Sequence, residues 1–224
     1  MTKRIQLTQE LFYYRERFRS CNVYVLNAFD RAVLFDPSMG PEDVDILLPV
    51  TMLVATHAHY DHIGAINLWK EEMPGRPFLL HAGDLPMLRD SALNASVFFG
   101  RAATYQDPDR CPEDGETIEI DHEYQLRVYH TPGHTMGSSC FLIIRKQGEE
   151  EIPIALVTGD TLFDRAWGRT DFATGDDRLM RRSLESLHKL LSQLPPDLPV
   201  CPGHGATTTS EAACRFLERM DFAG

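Results

Sequence analysis

A chain of 224 residues that is 43% hydrophobic and 25% charged has the size and composition of a soluble globular protein with ample core. Its net charge of -11 argues against a surface that tracks nucleic-acid phosphates, and no apolar run approaches the ~20 residues of a membrane helix. Residues 1–7 lack the apolar stretch of a secretory signal. The five cysteines, odd in number and without C-x-x-C spacing, point to reduced thiols and a cytoplasmic location.

Residues 22–28 and 32–35 are apolar and β-branched, and Phe29-Asp30-Arg31 between them reads as a hairpin turn. Asp36-Pro37-Ser38 ends the second strand, and residues 41–48 are expected to form a short helix before Pro49. The uninterrupted apolar run 52–55 reads as a short buried strand. From His62 a helix is expected, with Ala65, Ile66, Trp69 and Met73 on one face and Pro74-Gly75 as its stop. Residues 78–80 read as another strand. In 91–112, Val97, Phe98 and Phe99 stand among turn formers and charges. They either pack a loop or short helix onto the core or form a flap over a site, since binding residues often sit on loops.

After Asp114-Gly115, Leu126, Val128 and His130 alternate with Gln125, Arg127 and Tyr129, the pattern of a half-buried strand. Residues 140–144 and 154–157 are two apolar strands joined through a polar turn at 146–151. Met180, Leu184, Leu187, Leu191 and Leu194 make one stripe of a helix that starts at Asp177 and is closed by Pro195-Pro196. Residues 198–201 are a last buried strand, and Ser210 starts a final helix. Two successive runs of strands and helices, with no linker or short repeat, suggest a single α/β domain over 1–224 with a sheet-on-sheet core covered by helices.

The chemistry concentrates in T-H-A-H-Y-D-H at 56–62, directly after the strand at 52–55. In an extended chain His57 and His59 project to the same side, and Asp61 and His62 follow at the start of a helix. Three imidazoles and a carboxylate this close suit a metal, zinc first. Three more strand ends carry one ligand type each: His134 in T-P-G-H-T, Asp160 in T-G-D-T and His204 in P-G-H-G. Five histidines and two aspartates divide naturally between two divalent ions, with the two oxygens of Asp160 suited to bridge them. Such ions sit ~3.5–4 Å apart and hold a bridging hydroxide as nucleophile, because bound water reaches a pKa of ~7. Asp61 and Asp160 are the carboxylates expected to take part in catalysis. His81, His122, His130 and His188 have no such setting and read as core or surface residues.

T-H-A-H-Y-D-H, T-P-G-H-T, G-D-T-L-F and P-G-H-G, in this order, resemble the metallo-β-lactamase superfamily over nearly the whole chain. The resemblance implies an αββα four-layer sandwich. It places His57, His59 and His134 on one metal, Asp61, His62 and His204 on the other, and Asp160 between them. It also makes Asp36, in L-F-D-P, a supporting residue behind the ligands. The two metals are expected to be zinc, with iron or manganese also suited to the set. Within the superfamily, G-D-T-L-F followed by G-R-T-D-F and Gly175-Asp176 is similar to the short bacterial hydroxyacylglutathione hydrolases of the glyoxalase II type. That implies a small-molecule substrate, a thioester such as lactoylglutathione, with no nucleic-acid or membrane partner. Arg169 and Asp171 stand where the larger glyoxalase II enzymes carry a lysine and a tyrosine. Arg169 could meet a substrate carboxylate or brace the loop through Asp171 or Asp164. G-R-T-D-F also resembles the persulfide dioxygenases, which would use a single iron through His57, His134 and Asp160. A true β-lactamase is disfavoured by Asp160, which fills a place those enzymes do not use for a bridging carboxylate.

Overall fold

The computed structural model describes residues 3–15 and 21–220, so the first two residues of the expected non-signal start lie outside it. The chain gathers into two compact units, residues 1–112 and 113–224.

The first unit is built on a six-stranded mixed sheet in the order β1-β2-β3-β4-β5-β6. Its strands are β1 (Arg4–Gln6), β2 (Leu11–Arg15), β3 (Asn22–Asn27), β4 (Ala32–Phe35), β5 (Val50–Val54) and β6 (Phe78–Leu79). The first four pair antiparallel, and β5 and β6 add on parallel. The hairpin read at 22–35 is therefore the middle of this sheet. Two short helices, α1 (Tyr60–Ile63) and α2 (Ile66–Glu72), accompany it. Ile66 and Trp69 share a buried cluster with Phe12, Val25, Leu34 and Phe78. The one polar atom of Trp69 is satisfied there, its indole N–H donating to the Met39 carbonyl at 2.7 Å.

The helix expected from His62 is broken in two. Ala65 N donates to the Pro37 carbonyl at 3.0 Å instead of continuing the i→i−4 ladder. The helix expected over 41–48 is only a 3-10 turn, Pro41–Asp43. Beyond it the Tyr14 hydroxyl accepts from Asp45 N at 3.0 Å and holds that backbone in irregular conformation. Residues 91–112 contain one 3-10 turn, Ser96–Phe99, between Ala95 (φ +64°) and Gly100 (φ +76°). The turn leaves Val97, Phe98 and Phe99 largely exposed; of the two readings, packing onto the core holds in part for Phe99, whose ring lies 5.4 Å from that of the buried Tyr60, and is corrected for Val97 and Phe98.

The second unit holds another six-stranded mixed sheet, ordered β12-β11-β10-β9-β8-β7. Its elements are β7 (Thr117–Glu119), β8 (Tyr124–His130), β9 (Ser139–Gln147), β10 (Glu150–Gly159), α3 (Asp177–Leu191), β11 (Pro199–Pro202), β12 (Thr208–Thr209) and α4 (Ser210–Leu217). The turn read at 146–151 is tighter than expected: the strands run to Gln147 and Glu150, and Gly148 supplies the left-handed residue at φ +65°. The Asp176 carboxylate caps α3, accepting from Arg178 N and Leu179 N at 2.8 and 3.0 Å. Met180, Leu184, Leu187 and Leu191 bury one face of α3 among Leu142, Ile144, Leu156 and Val200. Fully burying each such side chain contributes about 1.5–3 kcal/mol, which makes this stripe the main anchor of the helix.

Candidate metal centre

In the first unit the T-H-A-H-Y-D-H segment leaves the end of β5 and enters α1, with His59 as the N-cap residue and Asp61 and His62 in the first turn. His57, His59 and His62 are all buried. The His57 ring lies 4.9 Å from that of His59 and 4.0 Å from that of His62, centroid to centroid.

Asp36, at the end of β4, organises this cluster. It is fully buried and accepts from Thr56 N at 2.7 Å, from the Thr56 hydroxyl at 2.9 Å and from His62 Nδ1 at 2.9 Å. A carboxylate only accepts, so His62 carries its proton on Nδ1 and its lone pair on Nε2. Thr56 has given its hydroxyl hydrogen to Asp36, so at 3.1 Å it accepts from His57 Nδ1. His57 is thereby set to the same tautomer. Outer partners of this kind orient metal-binding imidazoles and raise their basicity. Asp36 adopts φ +53°, a conformation that its short polar side chain tolerates better than most. Cys21 Sγ also lies 3.6 Å from His62 Nδ1. Burial pushes this thiol up to about 12, against the opposing pull of His62, so it is a neutral thiol near pH 7.

Asp84 was not singled out from the sequence. It is buried and accepts from Ala58 N at 2.9 Å, which fixes the backbone between His57 and His59. Asn94 similarly offers its carbonyl to Tyr60 N at 2.8 Å. Neither carries a sequence signal, since an Asp in A-G-D-L and an Asn in A-L-N-A look like ordinary turn residues.

In the second unit each ligand candidate follows a strand: His134 after β8, Asp160 after β10 and His204 after β11. Asp160 Oδ2 lies 3.5 Å from His134 Nε2 and 3.5 Å from His204 Nε2. His134 Nδ1 is 2.7 Å from the Arg169 carbonyl, which only accepts, so here too the lone pair is on Nε2. Gly133 (φ +146°) permits the turn before His134; a Cβ there would meet the Met180 backbone at 2.5 Å. The Phe163 ring lies 6.2 Å from that of His204 and the Phe172 ring 6.4 Å from that of His134.

Arg169 is held by Asp171 in a bidentate pair, both distances 2.6 Å, and lies 4.3 Å over the Phe172 ring. The pair holds the Asp171 carboxyl down to about 2, yet both groups are solvent-exposed, so it positions the loop more than it stabilises the fold. Of the four other histidines, His81 accepts from Gly83 N at 3.1 Å, and His130 donates from Nε2 to the Met136 carbonyl at 2.9 Å. His122 is exposed beside Glu123, and His188 lies in the last turn of α3.

Imidazole Nε2 atoms prepared as acceptors, next to carboxylates, fit a divalent metal and suit zinc, iron or manganese better than calcium or magnesium. Two mixed sheets with helices and histidine–aspartate ligand sets at strand ends define the class: an α/β protein equipped for metal binding. The chain belongs to the metallo-beta-lactamase superfamily, which it matches over residues 17–219, and superfamily members bind divalent metals and are mostly enzymes. An uncharacterized protein of Mycobacterium tuberculosis is 35% identical over 215 residues, covering 88% of this chain and 91% of that one. The hydroxyacylglutathione hydrolase GloC of Haemophilus influenzae is 31% identical, with 75% and 74% covered. Among solved structures, the B3 metallo-beta-lactamase BLEG-1 is 33% identical with a TM-score of 0.71, covering 95% of each chain. The di-iron-bound form of TTHA1623 is 30% identical with a TM-score of 0.71, covering 96% of this chain and 98% of the other. Among the described residues no helix is long and apolar enough to cross a membrane.

Proposed function

We propose that residues 1–224 form one catalytic domain, a dinuclear metal-dependent hydrolase that cleaves a thioester, with an acyl-glutathione such as lactoylglutathione as the substrate class. His57, His59 and His134 would hold one ion, Asp61, His62 and His204 the other, with Asp160 between them. The observation that carries this reading is the preparation of the imidazoles. His57, His62 and His134 each commit Nδ1 to an acceptor that leaves the lone pair on Nε2. Zinc is the ion we propose first, with iron or manganese next; the di-iron form of TTHA1623 supports a pair of ions in this fold. When bound, such ions supply a hydroxide at neutral pH and polarise a carbonyl.

The thioester follows from the likeness to GloC and from the leaving group. A thiol of pKa ~8.5 departs without a protonating acid, whereas an amine needs one. The substrate is proposed to be a small molecule, with no nucleic-acid or membrane partner. A cytoplasmic location belongs to the same proposal, supported by five free cysteines. The 33% identity with BLEG-1 over 95% of both chains favours one second reading, lactam hydrolysis, against which Asp160 still counts.

The test is thiol release from lactoylglutathione by zinc-loaded and iron-loaded protein, with metal content determined and a chromogenic cephalosporin assayed in parallel. Rapid release that is lost together with metal in His59→Ala supports the proposal. Cephalosporin turnover without thiol release would replace it with the second reading. Oxygen uptake with glutathione persulfide by a one-iron protein would replace both.

A further inference from the structure

A cavity of about 380 Å³ in the second unit is lined by Asp164, Arg165, Ala212, Arg215, Phe216 and Arg219. Three guanidinium groups and one carboxylate, Asp164, gather there, which leaves the lining positive in a chain whose net charge is -11. Arg215 is partly neutralised by Glu211, 2.9 Å away across one turn of α4. Among the described residues Arg165 and Arg219 make no ion pair. Arg215 lies in α4 and Arg219 in the turn just past its end, where Arg219 N donates to the Phe216 carbonyl at 3.2 Å; like charges four residues apart repel one another there, a cost that an anion between them relieves.

Arg165 has φ +61°, a left-handed conformation uncommon for a long side chain. It is held by the tight turn in which Phe163 N donates to the Ala166 carbonyl at 2.8 Å. The same turn begins at Phe163, whose ring stands against His204. Two of the cavity's lining residues, Asp164 and Arg165, therefore belong to the segment that leads away from Asp160 and sets Phe163 beside His204. The exposed Trp167 ring lies 6.2 Å from that of Phe216, a lining residue of the cavity. Arg169, the other arginine of this loop, is already occupied by Asp171.

We propose that the Arg165–Arg215–Arg219 cavity is the subsite for the anionic tail of the thiol carrier, and that it, rather than Arg169, recognises the carrier. This rests on the thioester reading. A hydroxyacyl group is uncharged, whereas thiol carriers are anionic, through carboxylates in glutathione and phosphates in coenzyme A. Guanidinium forks bind both kinds of oxyanion, in bidentate geometry.

The metal-loaded protein is titrated with glutathione and, separately, with coenzyme A, by calorimetry and by tryptophan fluorescence. Of the two tryptophans Trp69 is buried, whereas Trp167 is exposed with its ring against Phe216 of the cavity lining, so a change in signal is read from Trp167. The double variant Arg165→Gly, Arg219→Gln is compared; glycine suits the left-handed φ and keeps the turn. Binding of either carrier that weakens at least tenfold in the variant, with a matching rise in KM for its thioester, supports the proposal. Which carrier binds decides between carboxylate and phosphate. Binding that is unchanged in the variant overturns it, as does the absence of binding of both carriers to the wild-type protein. Hydrolysis of an uncharged thioester, acetylated mercaptoethanol, by the wild-type protein separates the two failures. If it persists, only the subsite is wrong; if it is absent as well, the thioesterase reading falls with it.

Discussion

Gly168→Ala tests whether the loop after Asp160 positions two ligand candidates at once. A Cβ on Gly168 would lie 3.0 Å from His134 Nδ1 and 3.1 Å from the Asp160 carbonyl carbon, and closer still to the carbonyl oxygen. None of these neighbours is the far end of a flexible side chain. The Asp160 backbone must move, or Gly168 must, and the latter shifts the adjacent Arg169 carbonyl that fixes His134. A displacement on the order of 1 Å at a catalytic constellation can cost ~10²-fold in rate, and loss of an outer partner lowers metal affinity by ~10–100-fold. The expected result is a folded protein that loses metal on gel filtration and releases thiol at about a hundredth of the wild-type rate. Gly115→Ala is the control, because nothing lies within 4 Å of its Cβ and only the strain of φ +76° is added, of order 1–3 kcal/mol. Full metal content and activity in Gly168→Ala would refute the reasoning.

Asp160→Ala should lower the stoichiometry from two metals per chain, measured by atomic emission; an unchanged pair would count against a bridging role. Native labelling with a thiol reagent should modify the exposed Cys111 quickly and Cys214 slowly, and reach Cys21, Cys140 and Cys201 only in denaturant. Alkaline stability follows from the same three thiols. Burial pushes Cys21 and Cys140 up to about 12 from 9.0 and raises Cys201 as well. A raised folded pKa means stability that is full below the unfolded value and is lost as pH climbs towards the folded one. At pH 11 the loss is on the order of 3 kcal/mol per thiol, so three together are comparable with the whole stability of a domain. Urea midpoints should fall steeply above pH 9, and a flat profile to pH 11 would show that the thiols do not resist ionisation.

The sequence reading succeeds where signals are local. Alternation and apolar runs locate the central strands, and the ligand candidates sit at their ends, where glycines or prolines adjoin His134, Asp160 and His204. It fails where a distant contact overrides propensity. Residues 41–48 resemble a helix, but the Tyr14 hydroxyl and the Asp45 backbone hold the chain in another shape. The strands Arg4–Gln6 and Leu11–Arg15 went unassigned because the first is mostly exposed and the second is buried on both faces, so neither alternates. The sequence allows Arg169 two roles, and its bidentate contact with Asp171 is a matter of side-chain geometry that spacing does not fix. Arg165 is far in the chain from Arg215 on α4 and from Arg219 just past its end, so no local pattern announces their meeting in one cavity.

Asp36 shows which of two opposed effects governs the ligand-bearing segment. Its φ of +53° costs of order 1–3 kcal/mol relative to a relaxed residue, and glycine would relieve it. Against this, the carboxylate accepts three hydrogen bonds, each worth about 1.5–3 kcal/mol when one partner is charged. The hydrogen bonds outweigh the strain, so Asp36→Gly should lower the thermal midpoint of the metal-free protein despite a more permissive backbone. Asp36→Asn separates shape from polarity. Asparagine tolerates the same φ and can still accept from Thr56 N, but its amide N–H₂ would face the Nδ1–H of His62 and the Thr56 hydroxyl, donor against donor. His62 and, through Thr56, His57 would then lose the acceptor that puts their lone pairs on Nε2. Chelator competition should show metal affinity reduced ~10–100-fold in Asp36→Asn, a larger effect than the change in melting alone would suggest. Affinity that tracked stability instead, falling in Asp36→Gly and surviving in Asp36→Asn, would mean that Asp36 serves the fold and not the tautomers.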